Sequence, residues 1–411
     1  MKRIILENLD YIKDLEIIRR DYYFSLLQNF VSERGVFILT GQRRVGKSYV
    51  LLDFLQDKKD IFYLNKELDD YNKIKTNKEL SKLFWIYKKE FGEPKYVVID
   101  EIQDIENWEI FIRKLFSLKK YKIIITWSNS HLLSSEMATY LTGRYIQFDI
   151  YPLCFDEYLY FAKTINRLET KKELFLEYIE FGWLPEIFFI DKKYKKNYLK
   201  SIKDSIILKD IVDRFWVKNI SVLEKIIKYL SDTLWSLAST SNITDFFKTN
   251  FDKKLSSSVT SRYIEFSKSS FLINEVSRYN LKWKRILEYV SKYYFSDIWI
   301  RNILWYNFNF DIWKILENIV YINLKKKWYE VYVGENKDKE IDFVAQKEGK
   351  TIYIQVTYLI TSKNVAKREF WNLLEIKDNW PKYVVSMDEN IDWNSYEWIN
   401  HIHIYDIDKI I

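Results

Sequence analysis

The chain has 411 residues, a formal net charge of +7 and a hydrophobic fraction of 48%, enough for two or three packed domains and too apolar for a disordered protein. No apolar run reaches the roughly 18 residues that span a bilayer. One cysteine, Cys154, excludes an internal disulfide and a cysteine-based metal cage, and three histidines (His131, His401, His403) argue against a His-rich zinc site.

The first residues, MKRIILENLDYIKD, acquire acids at once and lack the apolar core of a signal peptide. A soluble, cytoplasmic protein with no membrane partner is expected. Residues 1–34 read as one or two helices, with Ile17, Ile18, Tyr22 and Leu26 at near-helical spacing. Arg19 and Arg20 read as a solvated basic patch, with approach to a nucleotide as the alternative.

GVFILTGQRRVGKSYVLL (35–52) is the densest signal. A short apolar strand runs into Gly41-Gln42-Arg43-Arg44-Val45-Gly46-Lys47-Ser48, and apolar residues then return at helical spacing. This is the G-x-x-x-x-G-K-S spacing of a phosphate-binding loop between strand and helix. Gly41 and Gly46 permit backbone angles that let successive N–H groups turn onto phosphate oxygens. The helix that follows aims its positive end at the same anion. Lys47 is expected to reach the β- and γ-phosphates and Ser48 to ligate Mg²⁺.

IFYLN (61–65) reads as a second strand, and residues 66–92 as helical up to Gly92 and Pro94. KYVVIDEIQ (95–103) is a buried parallel strand ending in Asp100-Glu101, at the end of a strand where ligands bind in open α/β sheets. Asp100 is expected in the Mg²⁺ shell and Glu101 to polarise the attacking water. Trp108 and Phe111 read as core. KIIIT (122–126) is another strand, leading to Trp127-Ser128-Asn129-Ser130. If the first, third and fourth strands are neighbours, this tip lies beside the γ-phosphate. Asn129 is the better candidate to orient the water and Ser128 the second, against the alternative of a polar helix cap. TGRYIQFDIYPL (142–153) gives a glycine turn and a fifth strand, with Arg144 placed either to sense phosphate or reach across an interface, or to form a structural ion pair.

GQRRVGKS, VVIDEIQ, SNSHLLSSEMATYLTGRY and YPLCFDEY, in this order, resemble AAA+-type P-loop ATPases. They are most similar to a prokaryotic family of such ATPases with a C-terminal domain of unknown function, and the resemblance extends along nearly the whole chain. It implies ATP and Mg²⁺ as cofactors, with ATP binding, Mg²⁺ coordination and water activation falling on Lys47, Ser48, Asp100 and Glu101. It leaves open what hydrolysis drives.

The expected fold is α/β: a P-loop NTPase parallel sheet (1–154), a helical lid (155–215), a winged-helix-like domain (216–296) and a smaller α+β nuclease-like domain (297–411). The lid is broken at Phe181-Gly182-Trp183-Leu184-Pro185-Glu186. In the winged helix, LEKIIKYLSDTL is one helix, Asn242 or Thr244 opens a second, and SSSVTSRYIEFSKSS is a third that buries Val259, Tyr263 and Phe266. A hairpin wing follows. Ser257, Ser258, Ser261, Arg262 and Lys268 are the exposed candidates for DNA, against a winged helix used only for packing.

Further on, a helix carries Glu317, EIDFVAQ carries Asp342, and TIYIQVTYLI follows. A helical Glu, a strand-end Asp and a carboxylate-x-Lys would resemble a PD-(D/E)xK nuclease core, where two acids bind Mg²⁺ and lysine positions water. Here the third element reads Gln355-Val356-Thr357, and threonine cannot replace a lysine, so an inactive nuclease fold is expected. Partners are ATP and either DNA or a protein, with oligomerisation open. Two alternatives to ATPase chemistry stand beside it: a nucleotide-gated DNA-binding or scaffold protein with little turnover, and a Mg²⁺-dependent nuclease.

The chain has 8 glycines and 15 tryptophans, where usual usage of about 7% would give about 29 glycines. Against the family pattern, tryptophan stands where glycine is expected at Trp127, Trp183, Trp216, Trp235, Trp299, Trp313 and Trp328, while Trp108 and Trp85 fit as tryptophan. Trp328 falls between a lysine-ended helix and a strand, where glycine adopts the left-handed conformation. Trp127 ends a strand beside the expected phosphate site, where an indole would crowd the ligand. One account is a UGA codon that the source lineage reads as glycine; the other is an aromatic-rich lineage.

Overall fold

The computed structural model describes residues 12–31, 33–68, 71–128, 141, 143–233, 236–251, 255–304, 312–337, 339–360, 370–388, 395–396 and 398–410. Asn129 and Trp235 lie outside them. The chain divides into two compact units, Met1–Tyr151 and Pro152–Ile411.

The first unit begins with helix α1 (Asp21–Val31) and strand β1 (Val36–Thr40), followed by α2 (Lys47–Leu55), β2 (Ile61–Asn65), α3 (Asn77–Phe91) and β3 (Tyr96–Asp100). Helix α4 (Trp108–Leu118), β4 (Lys122–Trp127) and β5 (Tyr145–Asp149) complete it. The strands form one parallel sheet in the order β2-β3-β4-β1-β5. They are near-continuous apolar runs because helices cover both faces. Alternation along each strand divides the side chains between two cores. Val36, Ile38, Val97, Ile99, Ile123 and Ile125 pack with α3 and α4 residues on one face; Phe37, Leu39, Val98 and Ile124 pack with α1 and α2 residues on the other. Helix α3 starts at a capping box, in which Thr76 and Glu79 satisfy each other's backbone N–H groups, and stops at Gly92 with φ 90°. Because β4 lies between β1 and β3, the tips Thr40, Thr126 and Asp100 are brought to one end of the sheet, as the neighbour condition required.

The second unit opens with α5 (Phe155–Thr164), α6 (Lys171–Phe181), α7 (Lys192–Ser205), α8 (Ile220–Thr233), α9 (Thr240–Asn250) and α10 (Ser257–Ser269). The break after α6 falls at Gly182 (φ 82°). Helix α9 starts earlier than expected, because the Ser239 hydroxyl caps it by accepting from the Asn242 N–H at 3.1 Å. Tyr263 is buried on α10, with Thr260, Ile264 and Ser267; Val259 and Phe266 are only half-buried.

The hairpin after α10, β6 (Ile273–Asn280) and β7 (Arg285–Phe295), is not a free wing. After α11 (Trp299–Leu304) and α12 (Ile312–Lys326), strands β8 (Glu330–Asn336), β9 (Lys339–Lys347), β10 (Lys350–Val356), β11 (Lys382–Ser386), β12 (Ser395–Tyr396) and β13 (Ile399–His403) join it in one sheet. Its order is β12-β13-β11-β10-β9-β8-β6-β7, and the junction is the parallel pairing of β6 with β8. The boundary expected near residue 296 therefore runs through a continuous sheet. No helix among the described residues is long and apolar enough to cross a membrane.

The tryptophans fall into two groups. Trp216 and Trp328 have φ of 53° and 69°. Each sits just past a helix end, Trp328 two residues after α12 and Trp216 after the helical segment Ile206–Asp213 that continues α7: Tyr329 N–H donates to Leu324 O and Val217 N–H to Val212 O, both at 3.1 Å, the hydrogen bond of a left-handed helix stop. Phe271 makes the same stop with φ 55°, so the chain tolerates bulky residues there. Trp127, Trp183 and Trp299 are instead buried, each with an indole N–H that has no hydrogen-bond partner among the described residues. The expectation that Trp127 crowds the phosphate site is corrected. Its ring points to the face of the sheet away from α2 and packs edge-on against Trp108, with centroids 5.5 Å apart.

Candidate active site

The loop between β1 and α2 is built by backbone angles that its glycines supply. Gly41 has φ 143°, and a Cβ there would lie 2.4 Å from Ile150 O. Gly46, at φ 96°, stands at the start of α2 without a side-chain cap, so the cap residue itself occupies none of the helix's first N–H groups. The loop folds around its own lysine, whose buried Nζ donates to Gly41 O at 3.1 Å and Gln42 O at 3.2 Å. Gln42 is buried, with neither amide atom hydrogen-bonded among the described residues. Arg44 takes φ 66°, and Arg43 reaches Glu67 at 3.5 Å.

Arg19 and Arg20 do not form a freely solvated patch, since both are tied to the loop and its helix. Arg20 is buried; it donates to Val45 O in the loop at 3.3 Å and to Tyr151 O at 2.9 Å. Arg19 forks onto Asp53 of α2 at 3.0 Å. Both fasten the loop and its helix from behind.

Across the sheet, Asp100 ends β3 with its carboxylate buried. It accepts from the hydroxyls of Thr126, Ser48 and Tyr63, the last at 3.4 Å. Burial, then the neighbouring Glu101 charge, pushes its pKa up to about 6. Glu101 follows in a left-handed conformation (φ 56°, ψ 54°), which turns its side chain back towards the loop. Its N–H donates to Thr126 Oγ1 at 2.9 Å. One carboxylate oxygen, Oε1, lies 3.8 Å from Lys47 Nζ, and the other, Oε2, accepts from the Gln103 amide. Burial opposes the charged form of Glu101, but Lys47, the hydrogen bond from Gln103, and Arg43 outweigh it and hold the pKa below the ordinary range. Two adjacent carboxyls are thus pushed in opposite directions, the pattern that separates a base from its neighbour.

Lys47, Ser48, Asp100 and Glu101 therefore converge. Ser128 lies with them, its hydroxyl 3.4 Å from Gln103 Nε2. Arg144 does not. It precedes β5 and its carbonyl accepts from Val36 N–H, the first residue of β1; in parallel strands that is the end opposite the loop. Its guanidinium lies over Phe116, 5.8 Å from the ring centroid. Thr126, Tyr63 and Gln103 were missed. Thr126 was the one with a signal, a lone hydroxyl closing an isoleucine strand.

In the second unit, Glu317 on α12 and Asp342 on β9 are both buried, and the cluster around them contains a lysine that the motif lacks. Lys292, from β7, places its buried Nζ 3.1 Å from Glu317 Oε1 and 2.6 Å from Glu340 Oε1. Tyr294 donates to the same Glu317 oxygen at 2.6 Å. Asp342 accepts from Val356 N–H at 2.7 Å, and its own N–H donates to Gln355 Oε1 at 3.4 Å. Thr357 is buried and contributes no charge. Burial and the Glu317 charge push Asp342 well above the carboxylate range; burial lowers Lys292, but the charges of Glu317, Asp342 and Glu340 outweigh it and raise it. On α10, Ser257, Ser258, Ser261 and Arg262 are exposed. Lys268 is taken by Glu265 at 2.7 Å and Glu275 at 2.6 Å.

Comparison with known proteins agrees with the geometry of the first unit. The AAA domain family (AAA_14) matches residues 33–159, and a domain of unknown function (DUF8612) matches residues 172–309. A Haemophilus influenzae protein described as uncharacterized is 33% identical over 377 residues, 90% of this chain and 93% of that protein. A second such protein, from Methanocaldococcus jannaschii, is 31% identical over 378 residues, 88% of this chain and 82% of its own length. Among solved structures, a Walker-type ATPase of Pyrococcus abyssi aligns with a TM-score of 0.50 at 17% identity, covering 71% of this chain and 99% of that one; this likeness concerns the fold. The phosphate-loop geometry, the domain match and the full-length relatives together place the chain in this family of P-loop ATPases with an N-terminal AAA domain.

Proposed function

We propose that the first unit binds ATP with Mg²⁺ and hydrolyses it, and that turnover is coupled to a DNA or protein partner of the second unit. The observation that carries this reading is the convergence of Ser48, Asp100, Lys47 and Glu101 at the end of β1 and β3. A serine hydroxyl hydrogen-bonded to a carboxylate is a pair of hard oxygen donors, suited to Mg²⁺ shared with phosphate oxygens. Lys47 and the N–H groups of the loop and of α2 would take the phosphate charge. Glu101, ionised and aimed at the same place, would accept the proton of the attacking water. Asn129, which follows Ser128 in sequence, and Arg144 keep the roles that the sequence suggested for them only as a water-orienting group and as a finger reaching another subunit.

A second reading is a nucleotide-gated DNA-binding or scaffold protein with little turnover. It is favoured by the exposed row Ser257, Ser258, Ser261 and Arg262 and by the cations Lys282, Lys284 and Arg285 exposed around the β6–β7 turn. Steady-state ATP hydrolysis, with and without duplex DNA, separates the two. Under the first reading Glu101→Gln lowers turnover by about 10²–10⁴-fold while ATP binding is retained. A parent that binds ATP but shows no turnover under either condition would support the second. We read the Glu317–Asp342 cluster as non-cleaving, because Lys292 already engages carboxylates that a divalent cation would need.

A further inference from the structure

We infer that Gln103 is the positioning residue for Glu101, gripping one carboxylate oxygen so that the other faces the phosphate loop. The inference rests on the hydrolysis reading above and assigns a role to a residue that the reading leaves idle.

The turn after β3 makes the grip. Glu101 in the left-handed conformation starts a single 3₁₀ turn, Ile102–Asp104, closed by Asp104 N–H donating to Glu101 O at 3.3 Å. That turn carries Gln103 back beside the carboxylate two residues before it. Its Nε2 donates to Glu101 Oε2 and lies 3.4 Å from Ser128 Oγ, so one amide group ties the end of β3 to the residue after β4. Oε1 is left on the side of Lys47, at 3.8 Å. Lys47 in turn donates to two loop carbonyls, so a phosphate that draws its ammonium away leaves Oε1 facing the phosphate with Oε2 still held.

A glutamine kept only for packing or stability would satisfy both ends of its amide. Here the carbonyl end, Oε1, is buried without a hydrogen-bond partner among the described residues, a costly arrangement unless the other end has a task. A general base needs orientation more than strength, since misplacement of a reacting group costs rate steeply. The charged groups that act on Glu101 are Lys47, Arg43 and Asp100. None of them holds Oε2; the neutral donors to the carboxylate are Gln103, on Oε2, and the Ser128 hydroxyl, which Gln103 also touches, so Gln103 fixes the rotation with Ser128 beside it.

The test is steady-state ATP hydrolysis and nucleotide binding for Gln103→Leu, which is close in size, and Gln103→Asn, which keeps the amide but is one methylene too short. Both should lower kcat by about 10–100-fold and leave KM and ATP affinity within about twofold, with an unchanged melting temperature. A kcat equal to the parent's in either variant would overturn the inference, as would a raised KM at unchanged kcat, which would make Gln103 a binding residue. Should Gln103→Leu fail to fold, Gln103→Asn decides alone. Parent-like turnover in Glu101→Gln would remove the base itself and overturn both readings, whereas parent-like turnover confined to the Gln103 variants would overturn this one only.

Discussion

The two units each bury a lysine among carboxylates, and they treat the ammonium in opposite ways. Lys47 is held by two loop carbonyls, with its nearest carboxylate 3.8 Å away. Lys292 is clasped by two carboxylates at 2.6 and 3.1 Å. Neutral carbonyl dipoles position a charge without cancelling it, so the Lys47 site keeps a surplus positive field for an incoming anion. Two close carboxylates cancel the charge of Lys292, and that site is complete as it stands. Positive φ follows the same division: Arg44, Gly46 and Glu101 all take it around Lys47, the kind of irregularity that clusters at functional sites, whereas Lys292 and Asp342 do not, although strand register shifts beside both.

The sharpest test of this contrast exchanges each lysine for alanine. Lys47→Ala should lower ATP turnover by at least about 10²-fold and leave the melting temperature near the parent's. Lys292→Ala should do the reverse to the second unit, destabilising it by about 3 kcal/mol in denaturant unfolding, because the buried Glu317 carboxylate loses its cation and the half-buried Glu340 loses its partner. Plasmid nicking by the parent with Mg²⁺, lost in Asp342→Ala, would break the comparison by making the second cluster a working site.

A smaller effect is expected where a buried carboxylate holds its charge. Glu177 takes both guanidinium nitrogens of Arg167 at 2.8 Å and Lys195 Nζ at 2.7 Å. Burial opposes ionisation, but these bonds outweigh it and bring the pKa down to about 2. A depressed pKa contributes stability that is present above the unfolded value of about 4.3 and is lost as pH falls towards 2. Parent stability should therefore exceed that of Glu177→Gln by about 3 kcal/mol at pH 7, and the gap should narrow as pH falls to 3. A gap that is the same at both pH values would show that folding does not lower the Glu177 pKa.

The smallest effect concerns the helix stops. Trp216 is 85% exposed and Trp328 is 47% exposed, so neither gains much from burial, and both hold positive φ. Trp216→Gly and Trp328→Gly should each raise stability by about 0.5–1 kcal/mol, the left-handed strain exceeding glycine's entropy cost. Mass spectrometry of the native protein reads the same positions directly. Glycine there would support the UGA account, and tryptophan would leave the strain as a property of the chain.

Much of the first unit was legible because its signals are local. The phosphate loop is eight consecutive residues, and Asp100-Glu101 closes a run of apolar residues that could only be a buried strand. Arg144 was misplaced for a different reason: it adjoins the right strand, but parallel pairing puts the start of β5 at the far end of the sheet. Arg20 was misread because its acceptors, Val45 O and Tyr151 O, are backbone atoms with no trace in side-chain pattern. In the second unit the strands and the acids Glu317 and Asp342 are readable in the sequence, yet the sequence pattern separates the wing from the nuclease-like strands. Only the parallel pairing of β6 with β8 joins them.

The chain's order of residues determined what depends on neighbours along the backbone. This includes the glycines that let the loop turn inward, the apolar runs that become β1, β3 and β4, the acids at a strand end, and the left-handed stop at Trp328. Tertiary structure alone decided which distant groups complete those pieces. Thr126 reaches Asp100 and Glu101 because β4 inserts between β1 and β3, Trp127 faces away from the loop because adjacent strand residues point to opposite faces, and Lys292 of β7 reaches Glu317 of α12 and Glu340 of β9. Hydrogen bonds and ion pairs act over about 3 Å in space, whatever the separation in sequence, and so the partners of a charge are settled only when the sheets close.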